Sequence, residues 1–350
     1  MIQAVLLGNA DTKRTEYFRK AAQQVKLSFF FADWNDFEVW KAQLLDGQKR
    51  LVKIDPPLWK SCSLEELDSL VCDYIRKLDE LSEIAAGGTL HFLNHPQAIK
   101  DLLNKRDCKR KLEEAGLAVT KMLAYSTDFS SGDAPATQLV EMMRRTGMSQ
   151  VFIKPVNGSG AAGISAFRIQ PKTGRMVLYT CAAQHPSHGL VNTKRLRCFR
   201  EQKEVFALLN RILNLDCIVE RWYAKAQYGE YTYDLRAVVQ DGSVEFLLGR
   251  LSKGPITNLH LNNHPLEASE LEIPEAVLKE TACLCEKAMG CFSGLRYAGI
   301  DLLLEKNSLH PKIIEMNAQG DLIYQDIFHH NRIYRREAEM MRAWSVWNAK

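Results

Sequence analysis

The sequence has no apolar stretch approaching the ~20 residues a membrane helix requires, so no membrane partner is expected. Its opening, MIQAVLLGNADTKR, lacks a basic segment ahead of the short apolar run and reads as a first strand and not a signal peptide, which predicts a cytoplasmic location. None of the nine cysteines forms a CxxC pair, and an odd number of scattered thiols fits a reducing compartment better than a disulfide framework. Cys283, Cys285 and Cys291 cluster within a helical pattern, PEAVLKETACLCEKAMG, which argues against zinc. A strong excess of charge of one sign is lacking as well. The net charge of +4 is spread out and too weak for a nucleic-acid footprint, although it suits an anionic ligand. His185 and His188, in AAQHPSHG, have the spacing of metal ligands, yet a Pro-bearing surface loop explains them equally.

What is present is ordinary globular composition, 46% apolar and 25% charged, in a 350-residue chain long enough for two or three domains. From Met1 to about Leu93 strands and helices alternate. Gln3 to Leu7 reads as a strand, Thr12 to Val25 as a helix and Leu27 to Ala32 as a second strand, a βαβ opening. Asn9 and Asp11 follow the first strand, where open α/β sheets bind ligands; capping of the next helix accounts for them equally. A helix from Leu64 to Ala86 breaks at Gly87 and Gly88 before the short strand HFLN.

The block from Asn94 to Tyr125 carries Pro96 and one helix stopped by Gly116, with Lys105 inside it. Its neighbours Lys100, Arg106, Lys109, Arg110 and Lys111 give that helix the look of a solvated face. A polar loop between Ser126 and Pro135 marks a junction. After a helix from Ala136 to Thr146, strand Val151 to Lys154, a tip running from Asn157 to Gly163 and strand Ile164 to Ile169 make a hairpin. Such small residues let backbone N–H groups approach a polyphosphate, with Lys154 beside them, or form a flexible turn. No GKS or GKT follows, which excludes a P-loop.

A helix from Glu201 to Leu213 leads to strands Cys217 to Val219, Asp234 to Val239 and Val244 to Gly249, the last two joined by a tight Asp241-Gly242 turn. Asp234 and Arg236 share a strand face. Arg250, Lys253, Asn258 and His260 follow in a polar loop, the place where chemistry concentrates on a sheet. Trp222, Tyr223, Tyr228, Tyr231 and Tyr233 form an aromatic complement that packs a flat ring or fills the core. The tail from Gln325 to Lys350 reads as an amphipathic helix packed on the body, or on a partner.

The chain's centre of organisation is YAGIDLLLEKNSLHPKIIEMNAQGD, Tyr297 to Asp321, read as an antiparallel hairpin of Ile300 to Leu304 and Lys312 to Met316. A register centred on Ser308 sets Asp301 opposite Glu315, with Asn317 on the same face. Such acids either face water or hold a hard cation such as Mg²⁺.

Taken in order, a Lys-bearing helix ending in EEAGLAV, FIKP with a small-residue loop, IVERWY, DLRAVV…GR…N and GIDLL…EMNAQG resemble the ATP-grasp superfamily, in the branch of the ribosomal-protein glutamate ligases and bacterial glutathione synthetases. The resemblance covers about Asn94 to Asp321. It implies an α/β chain, α+β in the ATP-binding part, with a βαβ open-sheet domain over 1–93, one ATP-grasp subdomain with the phosphate loop over 94–216, and another with the metal site and C-terminal helix over 217–350.

By resemblance, Lys105 and Lys154 contact phosphates, Glu220, Arg221, Trp222 and Tyr223 meet adenine, and Asp234, with Arg236 in the same DLR motif, serves the ribose, Glu230 being a rival. Arg250 meets the transferred phosphate, making Arg250 and Lys154 the catalytic cations. Asp301, Glu315 and Asn317 bind Mg²⁺ or Mn²⁺, and Lys253, Asn258 and His260 lie toward the carboxylate substrate. The implied reaction is ATP-dependent joining of a carboxylate to an amine through an acyl phosphate, on an amino acid, a small peptide or a peptide side chain, in a monomer or a homo-oligomer. Transfer of phosphate to a hydroxyl, or nucleotide binding without catalysis, are the alternatives.

Overall fold

The computed structural model describes residues 2–61, 63–129, 134–157, 162–261, 263–319 and 330–347. Alternating strands and helices open the chain: β1 (Gln3–Gly8), α1 (Lys13–Gln24), β2 (Phe30–Asp33), α2 (Phe37–Gln43), β3 (Arg50–Ile54), α3 (Leu64–Ala85) and β4 (Leu90–Phe92). All pairings in this first sheet are parallel, in the order β2-β1-β3-β4. Parallel pairing needs crossovers, and the amphipathic helices supply them. Thr12 and Ser63 cap α1 and α3, each side chain accepting from the backbone N–H three residues on. Asn9 bonds to Asp33 and to the Leu58 N–H, so it ties loops together in this structure.

The basic block expected as one helix is two, α4 (Pro96–Leu103) and α5 (Lys105–Glu114). Asn104 separates them. Its backbone is extended and its side chain accepts from the N–H groups of Arg106 and Asp107, so a local cap overrides a helical pattern that runs on through the sequence. Lys105 is therefore the first residue of a helix and not an interior one.

A second, antiparallel sheet follows: β5 (Met122–Tyr125), α6 (Pro135–Arg145), β6 (Gln150–Pro155), β7 (Ser165–Ile169), β8 (Met176–His185), β9 (Gly189–Phe199), α7 (Gln202–Leu213) and β10 (Cys217–Arg221), with strand order β5-β10-β6-β7-β8-β9. Strand alternation divides its faces. Val151, Ile153, Phe167 and Val219 join Leu139, Val205, Leu209 and Ile212 of α6 and α7 in one core, while Phe152, Lys154 and Glu220 point to the other side. Because β10 pairs with β5 and β6, the boundary expected between 216 and 217 falls one strand early. His185 and His188 stand at the β8–β9 turn, their rings stacked at 4.7 Å.

The third sheet holds β11 (Gln227–Tyr228), β12 (Tyr231–Gln240), β13 (Ser243–Ser252), β14 (His264–Glu267), β15 (Tyr297–Leu304) and β16 (Pro311–Asn317), with α8 (Glu275–Gly290) between β14 and β15. Its main path is β14-β13-β12-β15-β16, and β11 pairs with β12. Asp241 and Gly242 make the two-residue turn with φ of 51° and 86°, the left-handed pair that Asp-Gly accepts most readily. All eight residues of β15 are buried. The last helix, α9 (Arg332–Trp347), sets Ile333, Tyr334, Ala338 and Met341 in one core with Phe18, Ala21 and Ala22 of α1 and Leu6 of β1.

Candidate active site

The polar face of the second sheet and one face of the third line an open cleft between them. Phe152, Lys154 and Glu220 line it from one side, and Asp234, Arg250, Asp301 and Glu315 from the other. Thr257 and Asn258 close a third side.

The hairpin β15–β16 brings Asp301 directly opposite Glu315. The register does not run straight from the turn. Leu302 pairs with Ile313 and a bulge follows Asp301, so one extra residue, Ile314, restores the register at the acids. Asn317 follows on the Glu315 face, with its Nδ2 3.5 Å from Glu315 Oε1.

Arginines neutralise the buried Asp301. Arg236 bonds it through Nε and, at 3.1 Å, through Nη2, and Arg250 Nη1 lies 3.1 Å from its Oδ2. Burial pushes this carboxyl up, but the two guanidinium groups outweigh burial and hold it down at about 2. Arg250 is a strand residue of β13 and 6% exposed, not a member of a polar loop as expected. Burial disfavours its charge, and Asp234 and Asp301 more than restore it.

Asp234 lies across the ladder from Arg250. It accepts from Arg250 Nε at 2.7 Å and Nη2 at 2.9 Å, from Lys225 Nζ at 3.4 Å, and from the Thr257 hydroxyl. Both of its oxygens are thus engaged within the protein, Oδ1 by Arg250 alone and Oδ2 by Arg250, Lys225 and Thr257. Lys225, missed in the sequence, also donates to Thr257 at 2.8 Å, and burial pushes its ammonium pKa down against the pull of Asp234.

On the opposite wall, Glu220 is 1% exposed and takes two ammonium groups, Lys154 on Oε1 and Lys109 on Oε2. The Thr120 hydroxyl donates to Oε2 at 2.7 Å. Burial raises the Glu220 carboxyl, but Lys109 and then Lys154 outweigh it and bring it to about 2. Burial likewise lowers the Lys109 pKa against the pull of Glu220. Lys109 escaped the sequence reading because five cations around it on the helix look alike. Its position between the buried Cys108 and Leu112 is the signal that marks it as inward.

Lys105 is half-buried, with its N–H on the Val156 carbonyl. Burial lowers its pKa, while Glu315 raises it. Arg221 and Tyr223 line the cleft. Trp222 is not among the lining residues. Its N–H and carbonyl both bond to Gln150, and its ring packs 5.4 Å from Phe152 and under Arg168. Asn258 lines the cleft, whereas Lys253 is exposed and pairs with an exposed Glu230 at 2.8 Å. The side chain of His260 and residues 158–161 of the small-residue loop lie outside the described residues.

Among the described residues no three His, Cys, Asp or Glu side chains gather as a metal cage. A cation at the hairpin would rest on two carboxylates and the amide oxygen of Asn317. These are hard oxygen donors, a set that fits Mg²⁺ shared with phosphates and fits no softer ion.

No family model matches the sequence, and no curated protein matches it. Solved structures do. ATP-grasp ligase PsnB, complexed with a minimal precursor, Mg and ADP, is 13% identical over 97% of each chain, with a TM-score of 0.58. Macrocyclase MdnC from Microcystis aeruginosa, bound with precursor peptide MdnA, is 12% identical over 97% of this chain and 100% of its own, with a TM-score of 0.60. D-alanine–D-alanine ligase from Bacillus anthracis, complexed with ATP, is 10% identical over 98% and 97%, with a TM-score of 0.57. At these identities the likeness is one of fold: the chain has the ATP-grasp fold.

Proposed function

We propose that the protein is an ATP-dependent carboxylate–amine ligase working in this cleft. The observation that carries the proposal is the pairing of Asp301 with Glu315, Asn317 beside them, across the cleft from Lys154. Two carboxylates at one end and a buried ammonium at the other match the two needs of a magnesium–polyphosphate ligand. The likeness to solved ATP-grasp ligases supports the same reading.

Asp301, Glu315 and Asn317 would hold Mg²⁺, which when bound draws charge from the phosphate oxygens. Lys154 and Lys105 would receive phosphate oxygens, and Tyr223 with Phe152 would pack the adenine. Arg250 would steady the transferred phosphoryl group, and Asp234, engaged by Arg250, Lys225 and Thr257, would hold Arg250 in place and leave the ribose to another group. A substrate carboxylate attacks the γ-phosphorus and ADP leaves. The amine then attacks the acyl carbon of the acyl phosphate, inorganic phosphate leaves, and the amine gives up a proton. The work is positioning and charge neutralisation, with no protein nucleophile. Asn258, which lines the cleft together with Arg250, is the candidate contact for the donor carboxylate.

The test is a screen of amino acids and small peptides as paired donor and acceptor, with ATP and Mg²⁺, following ADP release and product mass. An amide product with one ADP per bond supports the ligase. A stable phosphorylated product without amide assigns a phosphotransferase, and nucleotide binding with no turnover for any pair leaves a binding subunit.

A further inference from the structure

Lys109 does not line the cleft, yet it is tied to two residues that do. It stands on α5 behind the Glu220 carboxylate, 5% exposed, and donates to Glu220 Oε2, to Thr120 Oγ1 at 2.5 Å and to the Thr120 carbonyl at 3.2 Å. The cap at Asn104 starts α5 where Lys109, Cys108 and Leu112 all turn inward. On the cleft side, Lys154 has Glu220 and the Phe152 ring, 5.9 Å away, as its neighbours among the described residues.

The charges do not cancel. Glu220 offers one negative charge to two buried ammonium groups, so the three carry a net positive charge, and a buried charge without full compensation draws an anion. Lys109 has Thr120 to fix it against Glu220, whereas Lys154, equally buried, lines the cleft. The excess is therefore available at Lys154.

We infer that Lys109 is a positioning residue: by sharing Glu220 with Lys154 it leaves the pair's excess positive charge for the anionic end of a nucleotide. This rests on the nucleotide-binding reading given above. Without Lys109, the Glu220–Lys154 pair already present is left electrically neutral, and an incoming phosphate must break it.

The test measures ATP and adenosine binding to the full chain by calorimetry, for the unaltered protein, Lys109→Met and Lys109→Met combined with Glu220→Gln. Lys109→Met is expected to weaken ATP binding by about ten- to a hundredfold, the scale of one charged hydrogen bond, and to leave adenosine binding unchanged. Glu220→Gln in the same chain is expected to bring ATP affinity back toward the original, because Lys154 is released. Unchanged ATP affinity in Lys109→Met overturns the inference, as does an equal loss for adenosine, which marks a framework role. Should Lys109→Met fail to fold, Lys109→Gln, which keeps a donor toward Thr120, takes its place, and failure of both to fold also overturns it. Absence of ATP binding by the unaltered protein is a separate result, which removes the nucleotide assignment itself.

Discussion

Asp234 and Arg250 face each other in register across β12 and β13, and Arg250 lays Nε and Nη2 on the Asp234 carboxylate at 2.7 and 2.9 Å. Its remaining Nη1 is thereby aimed at Asp301. The orientation of one cleft arginine thus depends on an acid one strand away.

Asp234→Asn is expected to lower ligation by about 10²–10³, as loss of a positioned transition-state cation does. Breaking this buried pair should also cost roughly 3–5 kcal/mol of stability. The ratio of variant to unaltered affinity should be the same for ATP and for 2′- and 3′-deoxy-ATP. A penalty that disappears with one deoxynucleotide would return Asp234 to the ribose.

Glu315→Ala is expected to abolish ADP formation, by a factor of at least about 10²–10³, with circular dichroism and melting temperature close to those of the unaltered chain. Glu315 is only half-buried, so its removal opens little of the core. Turnover that survives the change would count against the metal assignment.

Gly299 sits on β15 with no room above it. A Cβ there would lie 2.9 Å from Arg236 Nη1 and 3.2 Å from its Cδ. Gly299→Ala should therefore push Arg236 off Asp301 while leaving the strand paired. The expected outcome is an altered Mg²⁺ dependence of ADP release with a melting temperature that changes little; an unaltered Mg²⁺ titration would show that Arg236 does not tune that corner.

Glu337 of α9 is fully buried, both carboxylate oxygens lack a hydrogen-bond partner among the described residues, and Lys53 Nζ is 3.4 Å away. Asp55, Arg14, Tyr297 and Tyr334 complete its charged and titratable surroundings. Burial pushes this carboxyl from 4.5 to about 7 despite Lys53. An acid raised in the folded state holds its proton longer there than in the unfolded chain, so stability falls as pH rises from about 4.5 through about 7. The loss should amount to about 3 kcal/mol. Glu337→Gln is expected to flatten that part of the curve in melts run at pH 5 and pH 8, and an unchanged slope would assign the titration elsewhere.

Much of this site was legible because a strand's period of two is unforgiving. Asp301, Glu315 and Asn317 are set on one face by spacing and a polar turn alone. The bulge at Ile314 was not legible, since an inserted residue leaves no mark in an apolar run. Strands β8 and β9 went unread for a different reason. β9, GLVNTKRLRCF, is an edge strand with much of its length exposed, so it shows no clean alternation of apolar and polar residues. Arg250 reads as a loop residue because strand β13 continues past Gly249 into the polar Arg250 and Ser252, and Arg250 is tolerated inside only through the acids Asp234 and Asp301. Lys109 and Lys225 belong to the same class. A buried cation is recognised by its carboxylate, and the carboxylates of Glu220 and Asp234 are supplied by distant or differently paired strands that no local pattern reveals.

The last helix, α9, crosses back from the third sheet to cover α1 and β1, and Glu337 meets Lys53 of β3 there. The opening ~90 residues consequently cannot be lifted out as a self-sufficient module. A fragment cut after β4 would leave Phe18, Ala21 and Leu6 bare to water and Lys53 short of one of its two acids, and would need the far end of the polypeptide added back in trans to become well behaved.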